Sequence, residues 1–271
     1  MTKISASVVL YNTEKTHIDA VITSCVDSLV EVDLYLVDNS PTDKLNYLMN
    51  DSRVKYLKSH ENHGFGAGHN LAINEFKLLE NYDYHIIINP DIEFDNMVVK
   101  NIQSYMDCNI DVGILMPKIT NVDGTLQYAR RLLPSPMDIL FKRFFPSSKR
   151  AGNYELRKFE PKKPVEIVGL CGCFMFSRTS SIKRIGLFDE RYFMYFEDFD
   201  LSRRMAKKFK TIYFPGTEVV HGSNNEHRRD KKLFFYAIRA ALKYFNKWGY
   251  VDKFRNKNNE RILQIVMDSS K

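Results

Sequence analysis

The first hundred residues alternate between two kinds of segment, and this alternation constrains the fold more than any other feature. Ile4 to Tyr11, Asp33 to Asp38, Val54 to Lys58 and Tyr84 to Asn89 are short apolar runs, β-branched or aromatic, as strands buried on both faces would be. Between and after them, His17 to Leu29, a weaker stretch near Leu45 to Met49, Ala67 to Leu79 and Met97 to Met106 carry helix-compatible sequence. The pattern predicts an α/β fold: a mostly parallel central sheet flanked by helices. Ligands of such sheets bind outside the carboxyl ends of the strands. At those ends stand Tyr11-Asn12, Asp38-Asn39-Ser40, the stretch His60 to Gly64, and Asn89-Pro90-Asp91, so polar and acidic groups share one rim. Pro90 cannot donate to a strand ladder and stops the fourth strand where Asp91 begins the rim. Glu93 and Asp95, just beyond, read as acids near the start of the next helix.

Regularity weakens in the middle of the chain. Val112 to Pro117 reads as a strand, and Asn121 to Thr125 contains the Asp-Gly signal of a tight hairpin. Pro134 to Pro164, rich in proline, lysine and arginine, reads as an excursion or mobile loop. Strongly apolar sequence resumes with a strand-like segment from Glu166 to Ser177, followed by a helix near Thr179 to Ile185. A further helix runs from the acidic cluster near Glu197 through Lys208, and Thr211 to Phe214 reads as a strand.

Composition bounds the partners. The 271 residues carry a formal net charge of +7, which favours an anionic partner. The opening MTKISASVVLYN lacks the long apolar core of a secretory signal, and no run approaches the ~20 apolar residues of a membrane span. The expectation is a cytoplasmic protein, at most peripheral on the inner face of a membrane. Cys25, Cys108, Cys171 and Cys173 show no paired spacing, which fits a reducing compartment, and Cys171-Gly-Cys173 could bind a metal, although a lone C-x-C in an apolar segment is more often small core packing.

Three stretches could carry chemistry. HENHGFGAGHN, from His60 to Asn70, has Gly64, Gly66 and Gly68 but His69 where a dinucleotide fingerprint needs glycine or alanine, and there is no Walker-A loop. A glycine turn that lets a helix pack closely and direct ligand contact are equally good readings of it. GLFDERYFMYFEDFDLSRR, from Gly186 to Arg204, sets Glu197, Asp198 and Asp200 among aromatics. Asp200 reads as an N-terminal helix charge favoured by the macrodipole. Glu197-Asp198, beside Phe193, Tyr195, Phe196 and Phe199, would be partly desolvated, which raises a carboxyl towards the range of a general base. His221, among Asn224, His227, Arg228 and Arg229, is a histidine in a polar loop, a position that most often holds no metal.

The order VVLYN, LVDNS, ENHGFGAGHN, IINPDIEF, GCFMFSR, GLFDERYFMYFEDFDLSRR and a late VVH resembles the family-two inverting glycosyltransferases of the GT-A fold. It is most similar to the bacterial branch of rhamnosyl- and galactofuranosyltransferases. The resemblance covers roughly Ile4 to His221. It implies a GT-A domain over 1–225, with a nucleotide-binding half over about 1–117 and an acceptor-binding half over about 118–225. A basic amphipathic helical extension over 226–271 follows. It also implies site residues. Tyr11, Asn12, Asp38 and Asn39 match nucleotide-contacting strand ends, and Asn62, Gly64 and Gly66 fall in the segment beside base and ribose. Asn89 and Asp91 match the D-x-D-type motif; with asparagine first, Asp91 is the secure carboxylate ligand of a Mn²⁺ or Mg²⁺ ion, and His221 matches a second ligand. Asp198 matches the catalytic base, Glu197 the acid beside it, and Arg203 or Arg204 could face the pyrophosphate.

The implied reaction is an inverting, metal-dependent transfer from a nucleotide-diphosphate sugar, first of all L-rhamnose from dTDP-rhamnose, to a saccharide or lipid-linked glycan acceptor. Cell-surface polysaccharide such as O-antigen or capsule would be its product. UDP-sugars (galactofuranose, glucose, galactose, N-acetylhexosamine) and a non-catalytic sugar-nucleotide-binding protein are the alternatives. Nucleic acid is disfavoured as a partner because acids occupy the ligand rim. The segment Arg228 to Arg255 mixes aromatics with lysine and arginine and can lie on an anionic membrane surface or pack on the domain.

Overall fold

The structure, a computed structural model, describes residues 2–42, 52–222 and 231–268. The helix expected near Leu45 to Met49 and the polar segment Asn224 to Arg229 lie outside the described residues. The first half runs β1 (Ile4–Leu10), α1 (Lys15–Val26), β2 (Val32–Asp38), β3 (Val54–Lys58), α2 (Phe65–Glu75), α3 (Leu78–Asn81), β4 (Tyr84–Ile88), β5 (Ile92–Phe94) and α4 (Val98–Cys108). The second half runs β6 (Val112–Thr120), β7 (Arg130–Arg131), α5 (Pro136–Phe144), α6 (Lys149–Tyr154), β8 (Val165–Glu166), β9 (Gly169–Leu170), β10 (Phe174–Arg178), α7 (Thr179–Ile185), α8 (Glu197–Ala206), β11 (Lys210–His221), α9 (Lys231–Trp248) and α10 (Lys253–Asp268).

Among the described residues one large sheet has the order β3-β2-β1-β4-β10-β6-β11-β5, with β8 on β11. Strands β1 to β4 are parallel neighbours, as the apolar runs predict, and β6 and β11 are also parallel. Strand β10 enters between β4 and β6 antiparallel to both, so the sheet is mixed. This insertion has a consequence for the site: the start of β10 lies at the same rim as the ends of β1, β2, β4 and β6. The core is formed by the inner strands, with Val8, Leu36, Ile86, Leu115 and Phe176 fully buried, and by the faces of α1, α4 and α8 packed over them.

Four expectations are corrected. Ile92 to Phe94 is a strand pairing with β11, so Glu93 belongs to a sheet edge rather than to a helix start. Glu166 to Ser177 divides into β8, β9 and β10, which pair with different partners: β8 with β11, β9 with β7, and β10 with β4 and β6. Pro134 to Pro164 is no mobile loop: it forms α5 and α6, and Ala151, Tyr154, Leu156 and Phe159 are buried. Helix α5 opens with a capping box, Ser135 accepting from the Asp138 N–H while Asp138 accepts from the Ser135 N–H, and with Pro136 in its first turn. Finally, β11 runs through Pro215-Gly216 with a register shift and reaches His221, which is therefore a strand-end residue.

The C-terminal helices pack on the domain. Tyr244 and Phe245 of α9 are buried, Tyr244 with its ring 5.2 Å from that of Phe196. Arg203 and Arg204, candidates for a pyrophosphate, are taken by the fold instead. Buried Arg203 pairs with Asp252. Arg204 binds Asp200 at 2.8 Å and three carbonyls at Ile185, Gly186 and Leu187. Asp200 does lie in the first turn of α8, as expected, but it does more than meet the helix dipole. Fully buried, it accepts from Arg204, from Trp248 Nε1 at 2.8 Å and from Lys247 at 2.7 Å, tying α8 to α9.

Candidate active site

Two groups of polar side chains face the rim, one at the ends of β4 and β11 and one at the start of α8. Pairing of β5 with β11 sets His221 opposite Ile92, next to Asp91, although the two residues are far apart in sequence. His221 Nε2 lies 3.3 Å from Asp91 Oδ1, and Asn89 Nδ2 is 3.3 Å from the same nitrogen. Nδ1 of His221 is 2.9 Å from Gln127 Oε1, and Gln127 Nε2 donates to the His221 carbonyl and to Asn121 Oδ1. Burial alone would raise the Asp91 carboxyl, but its bond and charge interaction with His221 outweigh that, and its pKa lies below the ordinary value. The same interaction, against burial, raises His221 above the ordinary histidine range. The pair is thus an ion pair by itself and offers one oxygen and one nitrogen to a cation that would replace the shared proton.

These residues fit a divalent ion. With Nδ1–H donating to Gln127, the Nε2 lone pair is directed at Asp91, the outer-shell arrangement that metal-binding histidines use. Among the described residues no group of three or more His, Cys, Asp or Glu side chains could hold a metal, so two protein ligands would leave most of the shell to a bound oxyanion and water.

The second group begins with strain. Tyr195 and Phe196 both have positive φ, 71° and 67°, a conformation costing bulky residues about 1–3 kcal/mol each that clusters where function requires it. The turn delivers Glu197 and Asp198 into the first turn of α8. Asp198 Oδ1 accepts from the Phe199 N–H at 2.8 Å and Oδ2 from the Gly172 N–H at 3.1 Å. Gly172 belongs to the segment leading into β10, so the antiparallel insertion of that strand positions the carboxylate. Burial, and then the neighbouring Cys171, push Asp198 up to about 6, against the two N–H bonds and the field of Arg131. Glu197 is more deeply buried and held well above its ordinary value by burial and by the Asp198 charge, with no partner for Oε2 among the described residues. Both acids are raised, Asp198 to about 6, and the Asp198 charge acts on Glu197, an inequality between neighbouring acids of the kind that separates a supporting acid from a base.

The remaining sequence candidates divide. Tyr11 is half exposed on the rim, and Asn12, at φ 49°, donates its N–H to Ser40 Oγ at 2.8 Å. The Asp38 carboxylate is buried and fully engaged. It accepts from the Ser40 N–H at 2.9 Å, Tyr56 Oη at 2.7 Å and Lys58 at 3.2 Å, which hold its pKa low against burial. Asn39 donates weakly to Asn62 Oδ1 and to the Gly64 carbonyl, and its own buried Oδ1 has no partner among the described residues. Asn62 Oδ1 accepts from the Gly64 N–H at 3.0 Å. Gly64 (φ 91°) has no room for a side chain, since a Cβ would stand 2.0 Å from the Phe193 carbonyl oxygen, and Gly66 presses on Phe188 in the same way. Both serve close packing of α2 against the segment before α8.

Sequence reasoning missed Gln127, Arg131 and the place of Cys171. Cys173 is core, but Cys171 is only partly buried, packed against the core where it influences both Asp198 and His221. The only sequence signal for these residues was the Asn121 hairpin, which brings Gln127 back to His221.

The Asp91–His221 pair stands at the carboxyl ends of β4 and β11 and Asp198 beside the start of β10, the rim at which α/β sheets bind their ligands. The model of the family described as Glycosyl transferase family 2 matches residues 5–186, more than half of the chain, and the protein belongs to that family. An N-acetylglucosaminyl-diphospho-decaprenol L-rhamnosyltransferase of Mycobacterium tuberculosis is 28% identical over 214 residues, 73% of this chain and 69% of that protein. The rhamnosyltransferase WbbL of Escherichia coli is 25% identical over 75% of this chain and 76% of its own length. A low-salt glycan biosynthesis hexosyltransferase, Agl10 of Haloferax volcanii, is 24% identical over 86% and 71%. Among solved structures, GalNAc-T7 with UDP, GalNAc and Mn²⁺ superposes with a TM-score of 0.67 at 14% identity, over 91% of this chain and 48% of that one. TarS 1-349 of S. aureus gives 0.56 at 16%, over 90% and 66%. The chain therefore spans about half the length of the former and about two thirds of the latter. The fold is that of the GT-A glycosyltransferases.

Proposed function

We propose that this protein is an inverting glycosyltransferase in which Asp198 is the general base and Asp91 with His221 holds a divalent cation against the diphosphate of a nucleotide-sugar. The observation that carries this reading is the Asp198 carboxylate, held at about 6 by burial at the rim and aimed by two backbone N–H groups. Such a group is ionised at neutral pH yet basic enough to accept a proton from a hydroxyl as that hydroxyl attacks.

The division of labour follows from the two groups. Asp198 takes the acceptor proton on the face of the anomeric carbon opposite the leaving diphosphate, so a single displacement inverts that centre. Glu197, raised by burial and by the Asp198 charge, is the supporting acid beside the base. Asp91 and His221, oriented by Gln127, would hold Mn²⁺ or Mg²⁺, whose chemistry is neutralisation of the departing phosphate oxygens; the nitrogen ligand tilts the preference to Mn²⁺. Tyr11, Asn12 and Asn39 border the space at the ends of β1 and β2 for base and ribose, with Asp38 bracing that turn from within.

L-rhamnose from dTDP-rhamnose is the donor best supported, since two of the relatives are named rhamnosyltransferases; UDP-sugars are the alternative. The acceptor is a saccharide, lipid-linked as in the name of the mycobacterial relative. The outward face of α9 suits work at an anionic membrane. Phe234, Phe235, Ile238 and Leu242 are exposed, Arg143 of α5 lies over the Phe234 ring at 4.8 Å, and Phe144 and Phe145 are exposed beside it. No helix among the described residues is long and apolar enough to cross a membrane. Aromatics interleaved with lysine and arginine bind such surfaces peripherally.

The deciding experiment is transfer by Asp198→Asn. Turnover falls roughly 10²–10⁴-fold while donor affinity persists. Near-normal transfer would remove Asp198 from the role. For Asp91→Ala, calorimetry with and without Mn²⁺ shows the metal-dependent part of donor binding lost. Co-sedimentation with anionic but not zwitterionic vesicles, lost in Phe235→Ser, checks the membrane face.

A further inference from the structure

The glycine-rich stretch falls, by resemblance, beside base and ribose, yet its one phenylalanine, Phe65, packs on the turn that supports Asp198. Gly172 donates its N–H to Asp198 Oδ2 at 3.1 Å. A Cβ at Gly172 would stand 3.2 Å from Phe65 Cε1 and 3.3 Å from Asp198 Cβ, so the ring and the acid close on one space that a side chain would otherwise fill. The φ of Gly172 is not positive, and glycine serves the close approach there rather than the backbone conformation. The ring is itself held from behind. Phe65 opens α2, and its N–H donates to the Phe193 carbonyl at 3.0 Å. It meets the His69 imidazole edge to face, with centroids 4.6 Å apart, and the Phe188 ring at 6.0 Å. His69 is fully buried with Nδ1 2.6 Å from Ser7 Oγ of β1, so the ring leans on a side chain anchored in the central sheet. Phe193 lies two residues before the strained Tyr195-Phe196 turn that delivers Asp198. Phe65 thus touches both supports of the acid, the Gly172 turn with its ring and the segment before α8 with its backbone.

We infer that Phe65 is a positioning residue for the base: its ring wedges the Gly172 turn so that the Gly172 N–H stays on the Asp198 carboxylate. The inference rests on Asp198 being the base. It gives the glycine-rich stretch a part in aiming the chemistry, apart from any contact with a nucleotide. A carboxylate that must meet an acceptor hydroxyl gains from such a brace, because misplacement by about 1 Å can cost on the order of 10²-fold in rate. A hydrogen bond to the charged form also favours ionisation, so loosening the Gly172 N–H raises the Asp198 carboxyl further. The other groups that act with this carboxylate are Cys171 and Cys173 before β10, Arg131 of β7, Tyr154 of α6 and Glu197 of α8. Substitution at 65 or 172 changes none of them.

The test uses the full chain labelled with carboxyl-¹³C aspartate, in which the Asp198 signal is the one missing from Asp198→Asn. Its titration is followed by NMR, so no substrate has to be known. Gly172→Ala, which changes no core side chain, is expected to raise the midpoint from about 6 by roughly half a unit or more. Adding Phe65→Ala to it vacates the space that the methyl needs and returns most of that shift, a coupling that independent sites do not show. In Phe65→Ala alone, hydrogen exchange of the Gly172 amide speeds up about ten-fold or more, the protection that one charge-assisted hydrogen bond supplies. Thermal unfolding checks each variant's fold, and Phe65→Val takes the place of Phe65→Ala should the latter not fold. A midpoint unmoved by Gly172→Ala, a double variant shifted as far as the single one, or a Gly172 amide exchanging at its natural rate in the folded Phe65 variant each overturns the inference. Loss of turnover in Asp198→Asn together with an unmoved midpoint faults this inference alone, whereas near-normal turnover in Asp198→Asn faults the base assignment on which it rests.

Discussion

Replacing Asp200 by alanine separates the structural acid of the EDFD cluster from the reactive one. Its carboxylate is wholly buried and accepts from Arg204 Nε at 2.8 Å, Trp248 Nε1 at 2.8 Å and Lys247 Nζ at 2.7 Å. Removing one side of a buried, hydrogen-bonded charge pair costs about 3–5 kcal/mol, mostly because the partner charge stays behind. Here the partners keep other acceptors. Arg204 still donates to the carbonyls of Ile185, Gly186 and Leu187, and Lys247 still reaches Asp189 at 2.7 Å. The low end therefore applies, about 3 kcal/mol, equivalent to a fall in Tm of roughly 6–12 °C in a domain of this size. Asp200→Asn keeps an acceptor for the indole N–H and loses only the charge, for about 1–2 kcal/mol. Urea unfolding followed by tryptophan fluorescence is a direct assay, since Trp248 is the single tryptophan and itself a partner. Because the lost contacts join α8 to α9, transfer should fall more than nucleotide binding. A cost for Asp200→Ala below about 0.5 kcal/mol would refute the reasoning, because a helix-end charge on the macrodipole alone accounts for that much.

Three further outcomes follow from the site and core. kcat/KM should climb with pH and reach half its plateau near pH 6, as Asp198 loses its proton at about that value; a flat profile from pH 5 to 8 would exclude it as base. Gln127→Leu, which removes the acceptor of His221 Nδ1, should weaken Mn²⁺ binding about 10–100-fold in an electron-paramagnetic-resonance titration of free Mn²⁺, and unchanged affinity would discard the outer-shell role. In the core, His85 bonds Ser5 at 2.8 Å and Ser7 at 2.9 Å and is pushed down to about 3 by burial. Its folded pKa lies below its unfolded one, so its contribution is complete above about pH 6.5 and is lost as pH falls from there towards 3. At pH 5 the loss is about 2 kcal/mol. His85→Gln lacks this penalty, and the stability gap between it and the natural protein should narrow by that amount between pH 7.5 and 5 in urea titrations; a constant gap would contradict the buried neutral imidazole.

Much of the N-terminal half was legible because its signals are local. Strand runs bounded by polar ends, the stop at Pro90 and the Asp-Gly turn each report on neighbours a few residues away, and all four early strands form where the apolar runs fall. The insertion was misjudged for the opposite reason. Its lysines, arginines and prolines make the segment read as solvent-facing, yet burial there is carried by a few large side chains, Tyr154, Leu156 and Phe159, whose partners lie elsewhere in the chain. The S-x-x-D cap at Ser135 was the signal available, and the surrounding charge obscured it.

What the sequence by itself determined is the set of chemical groups on the rim, since strand direction and a proline stop are decided within one segment. Their partners were a matter for the tertiary structure. Asp91 meets His221 because β5 and β11 align in one register. Asp198 and Asp200, two residues apart on one helix, differ because the first faces the Gly172 turn and the second faces α9. Charge type is written in the chain, whereas a carboxylate's pKa and role depend on which distant donors and cations the fold brings within a few ångströms, and only three-dimensional packing sets those distances.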